Sequence, residues 1–168
     1  MGLTGAVRRR QAKFSKANND PDEPVDSSNH RLRLFQSMDM PKPMPIGAHA
    51  TAEETVEFKH TLTAHHPELP PVYSTPDMIR LMETAAFLAL QPHCDDGEIT
   101  VGTAINIEHR AASGVGSHIM AEAVLESFDG RFYTIRVTAR DDVQEIGRGS
   151  VNRAVVSVSK FLDKMKIK

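Results

Sequence analysis

At 168 residues, 40% of them hydrophobic, the chain is long enough for one packed domain with a tail and short for two. A formal charge of −2 and a pI near 6.4 exclude the basic field of a nucleic-acid binder. No apolar run approaches the roughly 20 residues that cross a bilayer. The single cysteine, Cys94, can build neither an internal disulfide nor a structural zinc site, so a reducing, cytoplasmic setting with no membrane partner is the expectation.

Residues 1–50 form a first compositional regime. "NNDPDEPVDSSNH" and "MPKPMPIG" are polar and proline-rich, with apolar residues too scattered to offset the entropy of ordering, and the segment is expected to be a disordered extension. Arg8, Arg9, Arg10, Lys13 and Lys16 precede the first acidic residue, which leaves room for a mitochondrial presequence. Little leucine and a weak amphipathic face fit a plain solvated tail better. "MGLTGA" has Ala6 where an N-myristoylation signal needs Ser or Thr.

From residue 51 to 168 periodic segments follow one another closely. "ETVEFKHTLTA" alternates Val56 and Phe58 with Glu57 and Lys59 and reads as a strand. "HHPELPPVYSTP" is a loop, with His65 and His66 near a cleft entrance. A long apolar helix runs from about Pro76 to Leu90, with Thr75 as its N-cap, Pro76 at N1 and Asp77 in the first turn. "QPHCDDGE" ends it with Pro92 and Gly97. Four β-like segments complete the chain, read as a meander with turn signals at Asp129-Gly130 and Asp141-Asp142. The result is an α+β domain in which a curved antiparallel sheet wraps one central helix. So apolar a helix calls for further cover from a second subunit.

Three polar residues stand out on this scaffold. Asp77, Arg80, Thr84 and Gln91 share one stripe of the helix, whereas Glu83 lies off it, flanked by Ile79, Ala86, Phe87 and Leu90. It is either a surface ion pair with Arg80 or a half-enclosed carboxylate, which desolvation makes a better base unless a cation offsets it. Thr75 is explained by capping, although a hydroxyl beside free helix amides also suits an anion. In "ITVGTAINIEH" the odd positions Ile99, Val101, Ile105, Ile107 and His109 share the face that should meet the helix. A lone histidine there is commonly a core residue. Gly102, mid-strand, marks a bulge or a close approach.

Thr75, Glu83 and His109 resemble, in type and mutual spacing, the Thr, Glu and His of the hotdog-fold acyl-CoA thioesterases of the fluoroacetyl-CoA thioesterase type. "STPDMIRLMETAA" is similar to that family's T-P-x-M-x-x-L-x-E helix, "TVGTAINIEHRAASGVG" to its T-V-G-T-x-x-x-x-x-H-x-A-x-x-P-V-G strand, and "DGRFYTIRVTARDDVQEIGRG" to its last hairpin. The resemblance implies a homodimeric hotdog domain that hydrolyses a short or medium acyl-CoA without a cofactor or metal. It also implies roles for the residues: Glu83 as base or nucleophile, Thr75 and His109 as catalytic partners, and Gly102 beside the substrate. Where the family reads G-x-G-T-H-x-R, this chain has "GRGSVNR", with Ser150 and Val151 at the Thr and His positions. "AHHPELPP" lacks the lid phenylalanines that would select fluoroacetyl groups. A non-catalytic acyl-CoA-binding dimer is the alternative, and no dehydratase motif is found. "PHCDDGE" lacks a second ligand pair for a metal, and Arg110, Arg131 and Arg153 are left unassigned as coenzyme A contacts.

Overall fold

The structure, a computed structural model, describes residues 42–166; the basic N-terminal segment read as a solvated tail lies outside them. In order come β1 (His49–Thr55), a 3-10 turn at Phe58–His60, α1 (Leu62–His65), α2 (Thr75–Leu90), β2 (Glu98–His109), β3 (His118–Phe128), β4 (Tyr133–Arg140), β5 (Glu145–Ser157) and α3 (Val158–Lys166). The strands form one antiparallel sheet in the order β1-β3-β4-β5-β2, and each of them meets α2.

The core lies between α2 and the concave face of the sheet. α2 buries Met78, Leu81, Met82, Ala85, Ala86, Ala89 and Leu90. Opposite them, strict alternation in β3 and β4 supplies Ile119, Ala121, Ala123 and Leu125, then Tyr133, Ile135, Val137 and Ala139, all fully buried. Alanines on both sides let helix and sheet approach closely. Gly147 serves the same end, because a Cβ there would meet the Met78 sulfur at 2.5 Å.

Three readings of the sequence are corrected. The first strand is not at 54–64 but at His49–Thr55, paired in register with β3 from His49↔Val124 to Thr55↔His118. Beyond Thr55 the apparent alternation does not share a face, since Val56 is 1% exposed and Phe58 59%. Local bonds take over there: Glu57 N donates to His60 Nδ1 at 3.1 Å, and Thr61 Oγ1 accepts from Ala64 N at 3.3 Å, which winds the chain into short helical turns. Upstream of β1, Met44 is 5% exposed in the core, and Tyr133 Oη donates to the Lys42 carbonyl at 2.6 Å.

Only β3-β4-β5 is a meander. The turns at residues 129–132 and 141–144 close on the side chains of Asp129 and Asp141, each of which accepts two backbone N–H bonds. The eight residues after His109 carry no such hairpin signal and cross to β3, leaving β2 at the far edge against β5.

The third correction concerns which side chains of β2 face the helix. The β2·β5 register shifts between Gly102 and Ala104, so Thr103 is an extra residue and the alternation reverses. Thr100 and Gly102 face α2 before the bulge, in place of Ile99 and Val101. Ile105, Ile107 and His109 do so after it, as expected. Ile105, though opposite the buried Val151, is 51% exposed, because β2 is the sheet edge and no strand among the described residues pairs with its outer side.

Candidate active site

One side of α2 carries Thr75, Ile79, Glu83 and Phe87, spaced one turn apart and directed along β2. At the start of this stripe Ser74, not Thr75, caps the helix: its Oγ accepts from Asp77 N at 3.2 Å and donates to Asp77 Oδ2 at 2.5 Å. Thr75 is thus the first helical residue, with Pro76 at the second position. Its hydroxyl is released from capping and lies 2.9 Å from His109 Nδ1. The other ring nitrogen, His109 Nε2, is buried with no partner among the described residues. Beside this pair Leu62, Val72, Tyr73, Arg110, Ala111 and Ala112 line an open cleft of about 330 Å3.

Two turns further on, Glu83 is 25% exposed and bound not to Arg80 but to Arg153. Arg153 Nη1 donates to Glu83 Oε2 at 2.8 Å. Its guanidinium is fixed on the far side by Nε to Thr100 Oγ1 at 3.0 Å and Nη2 to the Thr100 carbonyl at 2.9 Å, and lies 5.9 Å from the centre of the Phe87 ring. The cation that a half-buried carboxylate needs is therefore built in. Gly102, opposite Arg153 in the sheet, leaves the carboxylate its room: a Cβ there would lie 2.6 Å from Glu83 Oε2. Glu83 Oε1 is buried and has no partner among the described residues. One oxygen is held by Arg153 and the other is not.

Arg80 is engaged elsewhere, with Glu54 and, at 3.6 Å, with Asp77, so the surface pair proposed for Glu83 does not form. Tyr73 Oη also donates to Glu54 at 2.5 Å; burial, then this hydrogen bond and the Glu54 charge, push the phenol's pKa up and keep it a donor. His65 ends α1 3.4 Å from Asp77. The Cys94 thiol's pKa is raised by burial and then by the charges of Glu98 and Asp95, which disfavours a thiolate nucleophile. Among the described residues no three His, Cys, Asp or Glu side chains converge as metal ligands would.

The chain therefore joins Thr75 to His109 and Glu83 to Gly102, but not the two pairs to each other. Thr75 and Glu83 are eight residues apart on one helix, about 12 Å along its axis. Sequence reasoning left Arg153 unassigned, since scattered strand arginines are usually a solvated face, although "GRGSVNR" retains the arginine of the last-strand motif. The available signal was its place on the alternation of Val151 and Val155, which makes it core-facing. Of the two departures in "GRGSVNR", Val151 is fully buried in the core and Ser150, opposite Asn106, points the other way.

A family model for fluoroacetyl-CoA-specific thioesterases matches residues 50–159. The fluoroacetyl-CoA thioesterase of Streptantibioticus cattleyicolor is 38% identical over 115 residues, covering 68% of this chain and 83% of the relative. A solved fluoroacetyl-CoA thioesterase structure superposes with a TM-score of 0.70 at 36% identity, over 76% of this chain and 98% of that one. A hot-dog-like protein from Thermanaerovibrio acidaminovorans shares the fold, with a TM-score of 0.67 at 20% identity over 73% and 90% of the two chains.

Proposed function

Because this chain belongs to the fluoroacetyl-CoA-specific thioesterase family, we propose that it hydrolyses a short or medium acyl-CoA to the free acid and coenzyme A, with Glu83 as the reacting carboxylate. The observation that carries this reading is the asymmetry of Glu83. Arg153 fixes Oε2, while Oε1 is buried and unpartnered. In that geometry Oε1 takes a proton from water as the water oxygen attacks the thioester carbon, or attacks that carbon itself to give an acyl-enzyme that water then opens. In both routes the C–S bond breaks and coenzyme A leaves as a thiolate that must gain a proton.

The Thr75–His109 pair supplies that second function. The hydroxyl positions the thioester, and the buried Nε2 edge of His109 hands a proton to the leaving sulfur or orients the groups that do. Gly102 contributes backbone to the substrate side of Glu83. The acyl chain occupies the cleft beside Thr75.

Separation of the two pairs along α2 favours a homodimer. β2 is an exposed edge with Ile105 uncovered on its helix-facing side. Antiparallel pairing of β2 with its copy about a two-fold axis near Ile105 and Asn106 sets Gly102 and Glu83 of one subunit across from Thr75 and His109 of the other. No helix among the described residues is long and apolar enough to cross a membrane, and the proposed setting is the cytoplasm. Thiol release from acetyl-, fluoroacetyl-, butyryl- and hexanoyl-CoA tests the reading. Turnover of at least one of them supports it, and tight binding without release from any would replace it with an acyl-CoA-binding role.

A further inference from the structure

Two features lie at opposite ends of β2, and both are open among the described residues. At the His109 end is the open cleft walled by Leu62, Val72, Ala111 and Ala112. At the Glu98 end, β5 finishes with Ser157 opposite Glu98 and passes directly into α3, whose Val158 N donates to the Gly97 carbonyl at 2.9 Å. α3 repeats apolar residues at helical spacing, Val158, Phe161 and Leu162, yet Phe161 is 42% and Leu162 44% exposed. Nine residues are too few to hold a helix in water without packing.

A second copy of the chain is the occupant that the strand geometry selects. Antiparallel pairing reverses strand direction, so an axis at the middle of β2 brings the Glu98 end of one copy beside the His109 end of the other. The helix anchored at the first end then borders the partner's cleft, within reach of a rod about 13 Å long. We propose that Phe161 and Leu162 of α3 complete the wall of the partner subunit's acyl cleft and so supply the apolar contacts that favour longer acyl chains over acetyl. This rests on the dimeric thioesterase reading above and adds to it a substrate class. With Phe and Leu closing a wall of Leu, Val and Ala, and Arg110 at the rim, the completed cleft takes an uncharged aliphatic acyl group.

The test uses the full chain in a Cys94→Ser background. Phe161→Cys combined with Ala112→Cys should give a two-subunit band on a non-reducing gel after mild oxidation, and neither single variant should. Separately, the Phe161→Ala/Leu162→Ala enzyme should lose about tenfold in kcat/KM on hexanoyl-CoA while acetyl-CoA is turned over about as well as before. A species that sediments as a dimer but forms no such band overturns this proposal and leaves the dimer standing. A monomer in sedimentation overturns both. An unchanged ratio of hexanoyl- to acetyl-CoA turnover overturns the role in specificity even where the band forms.

Discussion

The hydroxyl of Thr75 meets His109 Nδ1 at 2.9 Å because Ser74, one residue earlier, caps the helix. A cap and a reactive hydroxyl at neighbouring positions look alike in sequence, but they differ in what their removal costs. Ser74→Ala should lower stability by about 1 kcal/mol, the cost of losing a cap, with kcat nearly retained. Thr75→Ala should melt close to wild type and lose tenfold or more in turnover, on the order of a removed positioning or proton-handling contact. Thermal melts read beside thiol-release rates check the pair.

Gly102→Ala separates packing from chemistry in another way. The added methyl would press on Glu83 Oε2 at 2.6 Å, and that atom is the movable end of a side chain. The fold should therefore lose under about 1 kcal/mol, a figure typical of mild overpacking. The carboxylate must leave its bond to Arg153, so kcat should fall at least about tenfold while binding of coenzyme A persists. Calorimetric titration with coenzyme A and steady-state kinetics on the same preparation read both.

Arg153 should matter to folding as well as to rate. It is 5% exposed and bonded to Glu83 and Thr100. Arg153→Met removes one partner of a mostly buried pair and should cost about 3 kcal/mol. Arg153→Met combined with Glu83→Leu removes both charges and should recover most of that stability without recovering turnover. Denaturant midpoints for the single and double variants, with no recovery in the double, would refute the pairing argument.

Truncation tests where the packed region begins. Deletion of residues 1–39 should leave the melt unchanged, since the composition there offers no apolar face to dock. Deletion of 1–48 removes buried Met44 and the Lys42 carbonyl that accepts from Tyr133. It should destabilise by about 3 kcal/mol, from one buried side chain and one hydrogen bond. Equal melting temperatures for the two truncations would show that residues 40–48 contribute nothing.

What could be read from sequence followed the strength of the local signal. β3 and β4 alternate cleanly and α2 repeats at helical spacing, so the wrapped α+β architecture and the central helix were legible. β1 was not: its seven residues, HATAEET, bury one alanine, and only pairing with β3 makes them a strand. In β2 an extra residue at Thr103 reversed the alternation, which no period-two pattern can show. The family resemblance gave Thr75, Glu83 and His109, but helical spacing alone already sets Thr75 and Glu83 about 12 Å apart. Arg153 escaped because an arginine in a strand is ordinarily solvated. Its meaning comes from Gly102 and Thr100 on the neighbouring strand.

Reaction at the free oxygen of Glu83 is the centre of the account, and Glu83→Gln tests it most directly. The amide is nearly isosteric, so packing against Ile79 and Phe87 and the contact with Arg153 can persist through its carbonyl oxygen, but no basic oxygen remains. The turnover number for the best acyl-CoA of the panel should fall by about a hundredfold or more, the scale of a positioned acid-base group, with acyl-CoA still bound and the oligomeric state unchanged. Wild-type turnover in Glu83→Gln, at an unchanged melting temperature, would contradict the account and reduce the Glu83–Arg153 pair to a structural contact.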